Sequence, residues 1–523
     1  MGESRGLAGQ IGKASAIIII WSMIDKILAV GKEILTAQQF GVSADMDVFN
    51  ITQAFPGTLV LLFSGALVSA FVPLYLEWSS QSSAQDADSH TVWLIYFAAL
   101  FFLVLTLVCF FLTPLIIQFI CYGFGAKEKQ LGIVLERLLI ILLFIDGAGI
   151  FLRGMLHAKK MFFHLYVAPI FVNITIIFFL IFDVGLGIYL LVWGFLIGTF
   201  LKTIYMGIAL RREGFHFRTT LPFDPQKMRS LWLLAIPMLG SQLIANSNVM
   251  VDQIMATLLP AGSVSTLRYA FRINDLPIQV VITALSRAIF PFISEEAAAR
   301  NRENLIKIYK YSLIFLGFLT IPITCFIILF SEDIVIALFK RGAFDLEASR
   351  QTAQTLTCYS LGLFFYAYTF VNGGFFAALR NTKTLLYMGI VTIFLNGFFN
   401  FVFMHLMGVK GIALSTSVTL CIISIYFIFS LKRLLNISDL SDILSSFYCL
   451  ILSAACMLGA GFLFLKLFEI AGISRWASVP VITGLMAIIY LGIIWVFRTD
   501  ELHKCLHALI GMLNTLKKER PIS

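Results

Sequence analysis

The chain has 523 residues, 59% of them hydrophobic and only 13% charged, with a net charge of +9. An ordinary soluble domain is about 25% charged, and here apolar stretches near the roughly 20 residues that cross a bilayer as helix recur from end to end. This excludes a soluble globular enzyme, and it excludes a β-barrel, whose alternating segments of about ten residues are missing.

The pattern predicts an all-α integral membrane protein of about 14 transmembrane helices. The spans fall near 14–39, 47–77, 91–119, 131–155, 161–182, 184–209, 229–258, 264–294, 305–331, 351–378, 384–406, 411–431, 442–468 and 475–497. The polar start MGESRGLAGQIGK leads into a long, charged first span, which reads as retained rather than cleaved. That span contains WSMIDKILAVGKEIL, with Asp25, Lys26, Lys32 and Glu33 inside it. On a helical wheel the four lie within one arc of about 120°. A charged stripe of this kind must face protein or a watery cavity, never lipid. Two readings stand: Asp25/Lys32 and Lys26/Glu33 neutralise each other as structural pairs, or the stripe is the wall of an anion-binding cavity. The second span holds Pro56, which removes a helical hydrogen bond and is a candidate bending point.

The longest polar connection, RREGFHFRTTLPFDPQKMR, falls midway. Beyond it, the eighth span opens SVSTLRYAFRINDLP. Arg268 and Arg272 share a face at i, i+4, Asp275 follows one turn on, and Pro277 is a second candidate bending point. Arginine offers a phosphate two parallel donors and lysine a point charge, so Lys26, Lys32, Arg268 and Arg272 form a set suited to phosphate. Arg287, near the inner end, is expected to snorkel to headgroups.

The chain repeats itself. ALVSAFVPLYLE (66–77) matches ALSRAIFPFISE (284–295) at five of twelve positions, and Lys160, Asn173 and Gly185 recur as Lys383, Asn396 and Gly408. Two homologous six-helix lobes follow, 1–210 and 229–433, joined by a linker at 211–228. Two further helices occupy 434–498, and a tail runs over 499–523. Facing repeats are a transporter plan, with the substrate site at their interface. Loop Lys and Arg number 23 on one side against 7 on the other, which makes both termini cytoplasmic. The net charge is mostly this bias, and no nucleic acid is implied. The eight cysteines form no CxxC and read as apolar packing residues, the seven histidines show no metal spacing, and no Gly-rich phosphate loop precedes a helix.

The stretch GSVSTLRYAFRINDLPIQVVITALSRAIFPFIS (262–294) resembles span 8 of the MurJ/MviN lipid II flippases. These are a branch of the multidrug/oligosaccharidyl-lipid/polysaccharide exporter superfamily. DKILAVGKEILTAQQFGVSADMDVF, followed by Pro56 and AFVPLY, is similar to their opening. The resemblance implies a non-enzymatic alternating-access flippase in the bacterial cytoplasmic membrane. Its cargo would be an undecaprenyl-diphosphate-linked peptidoglycan precursor, its surroundings membrane lipid, and its further partners cell-wall synthesis proteins. It implies diphosphate contact by Lys26, Lys32 and Arg272, acidic partners at Glu33, Asp47 and Asp275, and a lipid-tail groove in the last two helices. It also brings in one ion, sodium, matched by position to Asp252, Asn396, Asn400, Ile412 and Thr416, with buried-amide hydrogen bonding as the alternative. The family pattern has Arg where Lys26 and Lys32 stand, another Arg near Val60, and Asp at Asn400. Another polyprenyl-diphosphate glycan would satisfy the same charges. A multidrug/cation antiporter of this fold would need an anionic cavity, and a glycan-transferring enzyme would need a larger loop or domain.

Overall fold

The computed structural model describes residues 2–182, 185–219, 221–437 and 441–497; the tail at 499–523 lies outside the described residues. Helices occupy nearly all of this, and no strand occurs among the described residues. In the first half they are α1 (Gly2–Phe40), α2 (Ala44–Gln81), α3 (Ala84–Ile120), α4 (Ala126–Leu139), α5 (Ile141–Ala148), α6 (Ile150–Ala158), α7 (Phe162–Val167), α8 (Ile170–Ile181), α9 (Tyr189–Arg212) and α10 (Pro225–Ala256). Then come α11 (Ser263–Pro277), a π-helical turn (Ile278–Ile282), α12 (Thr283–Ala298), α13 (Arg302–Phe339), α14 (Leu346–Ser360), α15 (Leu363–Ala378), α16 (Thr382–Met407), α17 (Val409–Leu434), α18 (Ser441–Ile470) and α19 (Arg475–Phe497).

Local chemistry sets several starts. The Ser43 hydroxyl accepts from the Met46 N–H at 3.3 Å. Ser83 and Asp86 form a reciprocal capping box at α3, and Asp224 caps α10 with Pro225 at its first position. Large apolar side chains then face outward: Phe111, Phe119, Phe394 and Leu406 are 76, 72, 74 and 74% exposed. Water does not tolerate such a belt on a monomer, and lipid requires it.

Ten helical segments among the described residues are long and apolar enough to cross a membrane, or eleven if α14 and α15, bent by 41° at their break, form one span. All lie where spans were predicted. The other three predicted spans are helical but different in kind. From Ile17 onward α1 holds all four stripe charges, the second half of α10 is polar with Ser247, Asn248, Asp252 and Gln253, and 131–155 is divided over α4, α5 and α6. The protein is a multi-pass membrane protein.

The chain forms two units, Met1–Ser265 with Phe339–Ala348, and Thr266–Leu338 with Ser349–Ser523. The first unit is built round Leu67, Phe71, Phe102, Leu143, Phe151 and Met155. Phe71 meets Phe151 edge-on at 5.2 Å, and Phe102 lies against Gly147, where a Cβ would enter its ring. The predicted second lobe begins at 229, yet α10 packs in the first unit. Its Leu231 and Ala235 join that core, and Trp232 stands edge-on to Phe101 at 6.3 Å. A sequence repeat marks descent, whereas burial of an apolar face decides which helices pack together. The turn at 339–348 joins the first unit by a hydrogen bond from Ala343 N–H to Gln38 C=O at 2.8 Å. Gly41 and Gly342 both take φ of +55°, and a Cβ on either would strike the facing backbone.

The second unit packs Tyr309, Leu313, Tyr368, Phe375, Phe376 and Phe427 together. The repeat is visible in the backbone. After α6 and α15, Lys160 and Arg380 share a left-handed φ of 57°, and the N–H groups of Met161 and Asn381 reach back to Leu156 and Phe376. These turns register at a shift of 220, so Lys160 corresponds here to Arg380 rather than to Lys383. Pro56 sits inside α2 without interrupting it, whereas Pro277 ends α11 and opens the π-helical turn.

Candidate functional site

The α1 stripe divides by depth. Lys26 is exposed, Asp25 half-buried, and Lys32 and Glu33 are buried. Neither predicted pair, Asp25/Lys32 or Lys26/Glu33, forms an ion pair. Residues seven apart stand about 10 Å apart along a helix, and neighbours win instead. Lys32 Nζ lies 3.3 Å from Glu33 Oε1 and 5.5 Å from the centre of the Phe195 ring. Asp25 Oδ1 accepts from Asn173 Nδ2 at 2.9 Å. Asn173 was legible only as a repeated residue; the structure makes it the partner of the first acid in the stripe.

Asp47 has a different role from the one expected. It is buried, and its carboxylate accepts from the Gly262 N–H at 2.6 Å, the Ser265 N–H at 2.7 Å and the Ser265 hydroxyl at 2.5 Å. Asn50 donates to that hydroxyl at 3.1 Å. Among the described residues no Lys or Arg forms an ion pair with it, so Asp47 caps the first turn of α11 from another helix. Carboxylates favour helix N-termini because the free N–H groups and the helix dipole point there.

In the second unit, Arg268 is half-buried and Arg272 exposed on α11. Asp275 accepts from Gln279 at 3.3 Å across the start of the π-helical turn. Arg287 lines an apolar cavity of about 410 Å³ with Ser286, Phe290, Phe370 and Gly374.

A cluster the sequence reading missed lies in the first unit. Lys202 of α9 is ion-paired to Asp146 of α5, and Arg153 of α6 approaches the same carboxylate at 3.9 Å. Spacing gave no signal, because three different helices supply the groups.

The residues matched to sodium divide as well. Asn396, Asn400, Ile412 and Thr416 gather on α16 and α17 of the second unit, while Asp252 belongs to α10 of the first. Asn400 donates to Asn396 Oδ1 at 3.3 Å, Asn396 to Thr416 Oγ1 at 3.4 Å, and Ser415 to the Ile412 carbonyl at 2.8 Å and to Asn400 Oδ1. The Asn396–Thr416 and Ser415–Asn400 bonds join α16 to α17 within the second unit, as buried polar side chains do between membrane helices, and no step is routed through an ion. Among the described residues no group of three His, Cys, Asp or Glu could hold a metal.

A family model described as lipid II flippase MurJ matches residues 36–479. The chain belongs to the lipid II flippase MurJ family. Relatives named probable lipid II flippase MurJ include one from Rhizobium tropici, 27% identical over 75% of each chain. Another, from Borreliella burgdorferi, is 26% identical over 82% of this chain and 85% of its own. A solved lipid II flippase MurJ in an inward closed conformation gives a TM-score of 0.75 at 24% identity, covering 91% of this chain and 98% of that one. An inward-facing multidrug resistance MATE family transporter of the MOP superfamily gives 0.69 at 14%, covering 80% and 97%. At these identities the two structures speak to the fold.

The last two helices of this MurJ-family chain pack on α13. Leu450, Met457, Met486 and Tyr490 meet Phe318 and Leu329, and Tyr490 donates to the Phe318 carbonyl at 3.0 Å. Their other faces leave Ile451, Phe462, Ile488 and Trp495 exposed. Membrane transport of a lipid suits such surfaces.

Proposed function

We propose that this chain moves lipid II from the inner to the outer leaflet of the bacterial cytoplasmic membrane by alternating access. The observation that carries the reading is the set of basic residues on α1 and α11 in a chain of the MurJ family that is otherwise mostly apolar. Lys26 and Lys32 would offset the dehydration of the diphosphate, with Arg272 and Arg268 supplying forked donors. Glu33, hydrogen-bonding range from Lys32, holds that lysine when no cargo is present. The glycan headgroup crosses in water while the polyprenyl tail remains in the bilayer, along the exposed faces of α18 and α19.

The same reading carries the finer architecture. Fourteen spans result if α1, α10 and the α4–α6 series each cross the membrane. Both termini are then cytoplasmic, and the repeat-related lobes are 1–210 and 229–433. Pro277 with the π-helical turn is the favoured bending point, because a π turn already loosens the helical ladder.

The test is purified protein in liposomes holding lipid II, with outer-leaflet lipid II measured over time. Wild type raises it, and Arg272→Ala, an exposed position, abolishes the rise without changing the melting midpoint. Intact transport by Arg272→Ala would remove the diphosphate role of α11. Absence of lipid II movement, with movement of another polyprenyl-diphosphate glycan, would overturn the cargo.

A further inference from the structure

A cavity of about 430 Å³ lies within the first unit, walled by Asp25, Arg153, Tyr166, Asn173, Lys202 and Met206. Its charged groups are unevenly matched. Lys202, with a side chain 10% exposed, is paired to Asp146. Arg153 Nη1 donates to Ser64 Oγ at 2.8 Å, but its Nη2 stands 3.9 Å from Asp146 Oδ1, beyond hydrogen-bond reach. Two cations therefore share one carboxylate, and one edge of the guanidinium is loosely engaged. The remaining charge on the wall, Asp25, accepts from Asn173 at 2.9 Å. Two cations and two carboxylates balance in number, but the second guanidinium nitrogen of Arg153 faces the cavity without a close acceptor, a donor that an oxyanion can complete.

We infer that this cavity binds a phosphate-type oxyanion, gripped by Arg153 and Lys202, with Asp146 the counter-ion that the ligand partly displaces. Arg153 supplies the fork, because its Nη2 can turn from a distant carboxylate to a nearer oxygen. Lys202 supplies the point charge. The volume admits a diphosphate with water. The oxyanion comes either from a polyprenyl diphosphate or from solution, and both present the same oxygens. Neither Lys26 nor Arg272 lines this cavity, so its fate is tested apart from the transport reading.

The experiment uses the full chain in nanodiscs with Lys26→Gln and Arg272→Gln, which removes two exposed competing cations, and inorganic diphosphate as the probe in calorimetric titration. One equivalent is expected to bind. Arg153→Gln weakens it at least tenfold, and Arg153→Lys recovers part of the loss. Asp146→Asn tightens it severalfold, because the competing carboxylate is gone. A triad with a structural role alone would alter the melting midpoint in these variants and leave the titration unchanged. No binding in the background protein, equal affinity in Arg153→Gln, or weaker binding in Asp146→Asn overturns the inference. A short-chain polyprenyl diphosphate placed in the nanodisc either competes, assigning the site to lipid-linked anions, or does not, assigning it to soluble ones; the site stands in both cases. Lipid II transport by Arg153→Gln is measured separately, so failure of the flippase reading and failure of this site remain distinguishable.

Discussion

Asp47 offers the sharpest test of how α11 is held. Its carboxylate accepts from two backbone N–H groups and one hydroxyl at 2.5–2.7 Å, all buried. Asp47→Ala removes the three acceptor contacts and leaves the Gly262 and Ser265 N–H groups without their partner. Each buried group left unsatisfied costs about 1–3 kcal/mol, which puts the loss on the order of 3–5 kcal/mol. Asp47→Asn keeps the shape and one accepting oxygen, and its cost is about 1–2 kcal/mol. Ser265→Ala removes only the hydroxyl contacts to Asp47 and Asn50, for about 1 kcal/mol. The assay is thermal unfolding in detergent combined with hydrogen exchange of the full chain. The order expected is wild type, then Ser265→Ala and Asp47→Asn together, then Asp47→Ala. Amides at 262–268 should lose protection in the same order. An Asp47→Ala protein that melts like wild type, with those amides still protected, would refute the capping argument.

Three further outcomes follow from packing and charge. Glu33→Gln removes the carboxylate 3.3 Å from the buried Lys32 and should destabilise by about 1–3 kcal/mol, while Lys32→Met with Glu33→Gln recovers part of that, measured by a double-mutant cycle of unfolding free energies. Gly147→Ala drives a methyl into the Phe102 ring and should cost about 1–3 kcal/mol, with Phe102→Leu in the same chain relieving it. Arg380 holds a φ of 57° at the end of α15, so Arg380→Gly should raise stability by about 1 kcal/mol, read as a higher melting midpoint; a fall would show that the arginine side chain anchors the turn.

Much of the architecture could be read along the chain, because lipid imposes a local rule. Every backbone polar group must be satisfied within its own helix, so a span is legible as an apolar stretch of the right length. Ten of the predicted spans, or eleven with the bent α14–α15 pair, therefore coincide with helices long and apolar enough to cross a membrane. The α1 stripe was likewise visible, since helical periodicity alone puts four charges on one face. Its pairing was not: axial distance separates residues seven apart, and Lys32 took its neighbour Glu33 while Asp25 took Asn173 from α8.

The sequence by itself determined the helical class, the repeat, the phosphate-suited cations on α1 and α11, and the resemblance to a flippase family. Tertiary structure decided which groups meet. It turned Asp47 from an expected cation partner into a helix cap, linked Asn396, Asn400 and Thr416 across α16 and α17, packed α10 with the first unit, and brought Asp146, Arg153 and Lys202 together from three helices. The physical reason is range. Hydrophobic length and helical phase are properties of consecutive residues, whereas a hydrogen bond or ion pair between helices depends on rotations and depths fixed only when apolar faces pack.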